Sequence, residues 1–235
     1  TCALPISNLI PTMSQLAMRK GFQPELCPKS FCKFGHGPKV ITIVGNSFAQ
    51  MIQPIVTNAL PMNEYTVRLQ WRSGCQIAEL DQCPDIFKIP PDTDVIIVSE
   101  YSYSHPGFSN PEIKQGLEFN YRNIAARNRP VIIFGQPVFR STTLLDCVGS
   151  DNLVTSKCNS AADSVLSINS LKKEFALANK FFWVDPNDWI CTDNICPLVI
   201  GNYVVSVDNQ HLAFEFSKKY LAPEFRLVWL RSGIQ

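Results

Sequence analysis

The stretch Lys39-Val-Ile-Thr-Ile-Val-Gly-Asn-Ser47 is the part of the chain that decides its fold. After the lysine, five consecutive β-branched residues form a run typical of a strand buried on both faces. A glycine and two polar residues end this run, and the next apolar residues recur at helical spacing: Phe48, Met51, Ile52, Ile55 and Val56. Strand, tight turn and helix form a βα unit, with Ser47 at the start of the helix.

Similar units follow along the chain. Apolar strands are predicted at residues 94–99, 130–134 and 181–184, with a weaker candidate at 65–71. Helices are predicted at residues 48–60, 111–128, 169–179 and 209–221. Strands that alternate with helices predict an α/β fold, a three-layer sandwich in which helices cover both faces of a central, mostly parallel sheet.

The beginning of the chain differs in composition from the rest. Residues 1–37 are rich in Pro, Cys and Gly, and we predict an irregular extension stapled by a disulfide, with a short helix within 11–20. Residues 38–235 are predicted to form one domain, since no repeat or linker divides them. The chain shows no initiator Met, signal peptide or apolar run of about 18 residues. It is therefore expected to be a segment of a longer protein, without a membrane span of its own.

The charge balance excludes some classes of partner. Lys plus Arg is 21 and Asp plus Glu is 20, so the formal net charge is +1. This gives no reason to expect nucleic acid or an anionic membrane surface.

Nine cysteines favour an oxidising compartment, extracellular or luminal, over buried free thiols in a cytosolic protein. Zinc-finger spacing is absent, and no metal or other cofactor is expected. The simplest scheme leaves Cys2 unpaired and joins near neighbours, although eight cysteines allow many connectivities. The near neighbours are Cys27/Cys32, Cys75/Cys83, Cys147/Cys158 and Cys191/Cys196.

Candidate catalytic residues lie at the predicted strand ends, where ligands bind in parallel α/β sheets. Ser47 follows the first core strand, and a helix N-terminus there would favour a developing oxyanion. Asp208 precedes His211 by three residues, so one short turn can present both side chains to one point. Taken separately, a capping serine and a helix-capping Asp with a surface His are the commoner explanations of these residues. His36 and His105 are predicted turn residues, although His105 follows a strand end and could line a pocket.

Together these features resemble the SGNH (GDSL-like) hydrolase family over residues 38–223. The residues that carry the resemblance are Ile43-Val-Gly-Asn-Ser-Phe-Ala49, Ser73-Gly-Cys75 and the late run Cys191, Cys196, Tyr203 and Asp208-Asn-Gln-His-Leu212. The chain looks most similar to the extracytoplasmic SGNH domains fused to membrane acyltransferase-3 domains, including nematode-type members. The resemblance also favours a Cys191–Cys196 disulfide and a flavodoxin-like strand order.

The resemblance implies a serine-dependent O-acyltransferase or O-acyl esterase. Ser47 would attack an acyl carbonyl, His211 would take its proton, and Asp208 would hold His211. The backbone N–H groups of Ser47 and Gly74 would bind the oxyanion. The implied partners are an acylated donor, a hydroxylated acceptor such as a carbohydrate, and a membrane acyltransferase domain in the same parent chain. Side chains that could line the site are Asn46, Tyr101 and His105.

Two departures from the family pattern are visible. The usual Gly-Asp-Ser is Gly45-Asn46-Ser47 here, which keeps the shape of the side chain but removes its charge. The third-block Asn, an oxyanion donor in many members, has no clear equivalent in Ser99-Glu-Tyr-Ser-Tyr-Ser104. Losing one such donor costs about 2.7–4 kcal/mol of transition-state stabilisation.

Three hypotheses follow from these observations. The chain is an enzyme with a Ser-His-Asp triad, or a catalytically weak or inactive SGNH-like module that presents an acceptor to a membrane acyltransferase. The third hypothesis is an unrelated structural use of an α/β fold. The distance between Ser47 Oγ and His211 separates the third hypothesis from the first two.

Overall fold

The strand predicted from the opening stretch, Lys39–Gly45, lies inside a six-stranded sheet and pairs in parallel with a neighbour on each side. The structure is a computed structural model that describes residues 8–17, 27, 30–75, 87–102, 110–140, 143–148 and 158–234. The strands of this sheet are β1 (Phe31–Gly35), β2 (Lys39–Gly45), β3 (Tyr65–Trp71), β4 (Val95–Ser99), β5 (Val131–Phe134) and β7 (Phe182–Val184).

The strand order confirms the predicted fold class. Across the sheet the order is β1-β3-β2-β4-β5-β7, and every pair except β1–β3 is parallel. The five parallel strands follow the flavodoxin-like order, in which the first parallel strand lies between the second and the third. The carboxyl ends of β2, β3 and β4 therefore meet at one edge, where β2 ends beside Ser47.

Helices cover both faces of the sheet. They are α1 (Met13–Ala17), α2 (Ser47–Ala59), α3 (Asn110–Ala125), α4 (Leu144–Val148), α5 (Asp163–Ala178), α6 (Asn187–Ile190), α7 (Phe214–Phe216) and α8 (Ala222–Ser232). One core cluster packs α2 and α8 against one face of the sheet, and a second packs α3 and α5 against the other. A π-helical turn, Ser217–Leu221, joins α7 to α8.

The alternation of side chains along β4 explains its continuous apolar sequence. Val95 and Ile97 pack in the cluster that contains α2 and α8, whereas Ile96 and Val98 pack in the cluster that contains α3 and α5. Successive side chains of a strand point to opposite faces, so both faces of β4 demand apolar residues.

Four short strands build two small sheets outside the main one. Ser160–Ala161 (β6) pairs with Ile195–Cys196 (β8), and Val199–Ile200 (β9) pairs with Tyr203–Val204 (β10). These pairs shape the segment that leads to Asp208 and His211.

Part of the predicted N-terminal extension belongs to the sheet. Within residues 1–37, α1 falls inside the short helix that the sequence predicts. The prediction of an irregular chain is wrong for β1, which pairs antiparallel with β3 from Phe31 to Gly35. Its partner strand lies farther along the chain, beyond β2 and α2, and a short edge strand has too few residues to show a clear pattern of its own.

The last predicted helix begins later than expected. Residues 209–213 are not helical, because Asp208 Oδ1 accepts the backbone N–H groups of Gln210 and His211 and forms a turn there. The helical segment begins at Phe214 and continues past Leu221 to Ser232. Pro223 does not end it, because it lies in the first turn of α8, where proline is tolerated. Helix α5 also begins earlier than the predicted start at 169, at Asp163.

Three of the proposed local disulfides are present: Cys27–Cys32, Cys147–Cys158 and Cys191–Cys196. Cys75 is disulfide-bonded, while its predicted partner Cys83 and the remaining Cys2 lie outside the described residues. Among the described residues, no helix is both long and apolar enough to cross a membrane.

The fold generates a prediction at Gly45, the last residue of β2. A Cβ atom at this position would lie 1.8 Å from the backbone oxygen of Ser99, and Gly45 has a φ of +149°. Gly233 also has a positive φ, +69°, but a Cβ atom there would meet nothing within 4 Å. We expect Gly45→Ala to lower the free energy of unfolding by at least about 2 kcal/mol more than Gly233→Ala, since only Gly45 adds a clash. Urea denaturation of both variants measures this difference, and equal losses would contradict it.

Candidate active site

Three side chains from two distant parts of the chain meet at the carboxyl end of β2. Ser47 Oγ lies 2.9 Å from His211 Nε2, and His211 Nδ1 lies 2.8 Å from Asp208 Oδ2. Ser47 is the first residue of α2, whereas Asp208 and His211 lie on the turn between β10 and α7. The structure therefore brings together the three residues predicted as catalytic.

The spacing Asp-x-x-His places both side chains correctly because the aspartate builds the turn itself. Asp208 Oδ1 accepts the N–H groups of Gln210 at 2.8 Å and His211 at 2.7 Å. Its second oxygen is thereby directed to the imidazole. The sequence had predicted one short turn presenting both side chains, and the turn has this form.

Hydrogen bonds lower the pKa of Asp208. Partial burial acts to raise the pKa of Asp208, but the hydrogen bond and charge of His211 and the two backbone N–H groups outweigh it, so this pKa lies below its ordinary value. The carboxylate is therefore charged at neutral pH and favours the proton on His211 Nδ1. Nε2 is then free to accept the hydroxyl proton of Ser47.

Aromatic packing orients the imidazole from its other side. The ring of Phe48 lies 5.4 Å from the His211 ring and 5.1 Å from the Tyr101 ring, centroid to centroid. Leu212, next to the histidine, donates its backbone N–H to Met51 Sδ at 3.1 Å. Helix α2 thus supplies the serine and also two side chains that hold the histidine turn against it.

Asn46 connects the ends of two strands. Its Oδ1 accepts the N–H groups of Phe48 at 3.1 Å and Tyr101 at 3.0 Å, and its Nδ2 donates to the carbonyl of Tyr101 at 3.0 Å. The side chain therefore caps α2 and ties the end of β2 to the residues after β4. An aspartate could make the two acceptor contacts but not the third, so the amide suits this site.

Gly74 lies on the correct edge for its predicted role. Gly45 pairs with Trp71 in the sheet, and Arg72 donates its N–H to the carbonyl of Gly45 at 3.2 Å. Gly74 follows two residues later, beyond the end of β3, with a positive φ of +72°. Its role as an oxyanion donor stays a prediction.

The segment after β4 is occupied by a buried polar network. Glu100 pairs with Lys172 at 2.8 Å, and both side chains are 1% exposed. Ser102 donates to Glu100 at 2.7 Å, and Lys172 also donates to Gln136 Oε1 at 3.2 Å. Ser102 is thus hydrogen-bonded to Glu100, and Glu100 is also paired with Lys172 of α5, in the segment where the sequence shows no clear equivalent of the third oxyanion donor that the resemblance implies.

Sequence reasoning missed Glu100, Lys172 and Arg140, all of which are buried beside the site. A charge directly after an apolar strand was a usable signal for Glu100. No signal marked Lys172 or Arg140, because lysine and arginine usually face solvent. Of the other predicted residues, Tyr101 borders the site through Phe48, His36 lies in the β1–β2 turn, and His105 lies outside the described residues.

Comparisons with known proteins agree with this architecture. The model of a family described as "SGNH domain (fused to AT3 domains)" matches residues 18–226. No curated protein sequence matches the chain significantly.

Solved structures share the fold at low sequence identity. The periplasmic domain of the lipopolysaccharide acetyltransferase of Salmonella ser. Paratyphi A has a TM-score of 0.64 at 10% identity, covering 93% of this chain and 89% of that chain. An inhibitor-bound aryl esterase of M. smegmatis has a TM-score of 0.54 at 11% identity, covering 83% of this chain and 99% of that chain. Neither structure supports the narrower resemblance to nematode-type members.

The hydrogen bonds of Asn46 lead to a stability prediction. We expect Asn46→Ala to lower the free energy of unfolding by about 2–3 kcal/mol, because it removes a helix cap and two further hydrogen bonds. Asn46→Asp keeps the acceptor contacts and should lose only about half as much. Chemical denaturation measures both values.

Asn58→Ala is the matched control for these variants, since Asn58 lies on the same helix and its Nδ2 donates to the carbonyl of Pro54. A loss in Asn46→Ala no larger than that in Asn58→Ala would contradict the role of Asn46 as a connection between strand ends.

Proposed function

Because the chain belongs to the family of SGNH domains fused to AT3 domains, we propose that it transfers or hydrolyses O-acyl groups with Ser47 as the nucleophile. The observation that carries the proposal is the continuous hydrogen-bonded chain Ser47–His211–Asp208, at 2.9 and 2.8 Å. Nucleophile, base and orienting carboxylate within hydrogen-bond reach are what acyl-enzyme chemistry requires.

The proposed first half-reaction forms an acyl-enzyme. Ser47 Oγ attacks the carbonyl carbon of the donor while His211 Nε2 takes the hydroxyl proton, and Asp208 stabilises the resulting imidazolium. The tetrahedral oxyanion is bound by the N–H of Ser47, which lies in the first turn of α2 where no intrahelical partner exists, and by the N–H of Gly74. Collapse expels the leaving oxygen, which takes the proton from His211.

The second half-reaction returns the enzyme to its starting state. His211 accepts a proton from the hydroxyl of the acceptor, whose oxygen attacks the acyl-enzyme, and Ser47 regains its proton as the ester is released. The acceptor is a hydroxylated molecule, and we favour a carbohydrate; water in its place makes the reaction a hydrolysis. The similarity in fold to a lipopolysaccharide acetyltransferase domain supports this choice.

The expected setting is outside the cytoplasm. Three described disulfides are typical of an oxidising compartment. The family description supports a membrane-bound AT3 acyltransferase domain in the same parent chain as the partner that supplies or receives the acyl group.

A second candidate function is a module that binds the acceptor and presents it to the acyltransferase without doing chemistry. The observation in its favour is the occupied segment after β4, where Glu100 accepts hydrogen bonds from Ser102 and Lys172 and no asparagine supplies a further amide donor. The absence of one donor would weaken the oxyanion hole by about 2.7–4 kcal/mol.

The decisive experiment is ester turnover with p-nitrophenyl acetate, together with labelling by a fluorophosphonate probe. We expect Ser47→Ala to lose roughly 10³-fold or more in kcat and all labelling, and Asp208→Asn to lose about 10²- to 10⁴-fold. Ser232→Ala, at the end of α8, is the matched serine control and should match the wild type.

Labelling that persists in Ser47→Ala would contradict the proposed nucleophile. Wild-type turnover equal to that of Ser47→Ala, combined with equal binding of an acceptor oligosaccharide by both proteins, would favour the presenting module instead.

A further inference from the structure

Arg140 is a fully buried arginine beside the candidate active site. Its side chain is 0% exposed, in the loop that follows β5. Its guanidinium donates to Ser206 Oγ at 2.9 Å, to the carbonyl of Cys196 at 3.1 Å and to the carbonyl of Pro197 at 2.9 Å. All three acceptors belong to the segment that leads to Asp208.

The backbone of Arg140 holds the same segment from its other end. The N–H of Arg140 donates to the carbonyl of Asn209 at 2.8 Å, and Asn209 Nδ2 donates to the carbonyl of Arg140 at 2.7 Å. Arg140 therefore hydrogen-bonds to Ser206, two positions before Asp208, and to Asn209, one position after it.

The charge of Arg140 is not matched by a carboxylate within the described part of the chain, where its partners are neutral oxygens. Burial lowers the pKa of Arg140 to about 10, which still leaves it protonated at neutral pH. Burying a cation is unfavourable unless hydrogen bonds satisfy it. The three hydrogen bonds of the Arg140 guanidinium, all to the segment that leads to Asp208, offset part of this cost.

The Asp208 turn depends on contacts with residues outside it to keep its position. The side chain of Asp208 is 47% exposed, and residues 205–213 lie outside the named strands and helices. Beyond the contacts of its own turn, Asp208 is positioned by what holds its neighbours. Arg140 holds Ser206 and Asn209, and Met51 and Phe48 of α2 contact the Leu212 and His211 side of the turn. A displacement of about 1 Å at such a turn can reduce the rate by about 10²-fold.

We propose that Arg140 is a positioning residue that holds the Asp208–His211 turn in hydrogen-bonding register with Ser47. The inference rests on the proposed function for its effect on rate, but the geometry it describes can be measured without turnover. Arg140 acts through Asp208, by fixing Ser206 on one side and Asn209 on the other, and does not contact the reacting atoms.

The first experiment observes the hydrogen bond between His211 and Asp208 directly by proton NMR of histidine-labelled protein. An imidazole N–H bound to a carboxylate gives a strongly downfield resonance, and the chain has only three histidines, which simplifies assignment. We expect this resonance in the wild type, its loss in Asp208→Asn and Arg140→Met, and a weakened signal in Arg140→Lys, which keeps the charge but fewer donors.

The second experiment is a double-mutant cycle on ester turnover. We expect Arg140→Met to lose about 10- to 10²-fold in kcat with little change in KM, since the turn and not substrate binding is disturbed. In the Asp208→Asn background the same substitution should cost less than about 3-fold, because Arg140 acts through Asp208. Losses that multiply would overturn the proposal.

A control separates this effect from the general cost of removing a buried cation. The double variant Glu100→Gln/Lys172→Met removes another buried cation together with its carboxylate partner. It should keep the downfield resonance, whatever the change in the midpoint of thermal unfolding. Loss of the resonance in this control as well would overturn the specific role of Arg140.

Failure of the proposal can be told from failure of the proposed function. A folded Arg140→Met that keeps the resonance and the wild-type kcat overturns the positioning role, whatever Ser47→Ala does. If wild-type turnover does not depend on Ser47, the proposed function fails while the NMR result still decides what Arg140 holds. Should Arg140→Met not fold, Arg140→Lys and Ser206→Ala carry the test, and an unchanged resonance in both overturns it.

Discussion

The close approach between the ends of β2 and β4 is the constraint on which the rest of the site depends. Gly45 is paired with Ser99, and the absence of a side chain lets the two backbones meet. Asn46, the residue after Gly45, then hydrogen-bonds through its side chain to the N–H and the carbonyl of Tyr101, which follows the end of β4. Because α2 begins at Ser47, this junction fixes both the position of the serine and the direction in which the helix N-terminus points.

The histidine turn is brought to that junction from 164 residues away. Local bonds shape it, since Asp208 accepts two N–H groups of its own turn. Long-range contacts then place it: Met51 and Phe48 from α2 on one side, and Arg140 from the loop after β5 on the other. Both kinds of contact are needed, because a short turn can define its internal geometry but not its position relative to a distant helix.

Buried charge is concentrated at the carboxyl edge of the sheet. The Glu100–Lys172 pair and Arg140 are each almost fully removed from solvent. Buried ion pairs are weak evidence for stability, since desolvation offsets much of the attraction. Their placement here, around the strand ends that carry the candidate site, is consistent with a region organised for geometry and not for stability. The same network occupies the segment in which the family resemblance implies a further oxyanion donor, and the roles of Ser47 and Gly74 as oxyanion donors stay predictions.

Elements whose signals are local can be predicted from the sequence. β2, β4 and β5 appear as apolar runs, α2 by its spacing and the Asp208 turn by a separation of three residues, because each depends on neighbours in the chain. Pairing of near-neighbour cysteines is only the simplest of many schemes in the sequence, with Cys191–Cys196 favoured by the family resemblance, and the structure contains three of these pairs. Long-range contacts are needed to establish that Phe31–Gly35 is a strand, that the last helix begins at Phe214, and that Glu100, Lys172 and Arg140 are buried. Their partners lie far along the chain, and a charged residue whose partner is distant has the same local sequence as one that faces water.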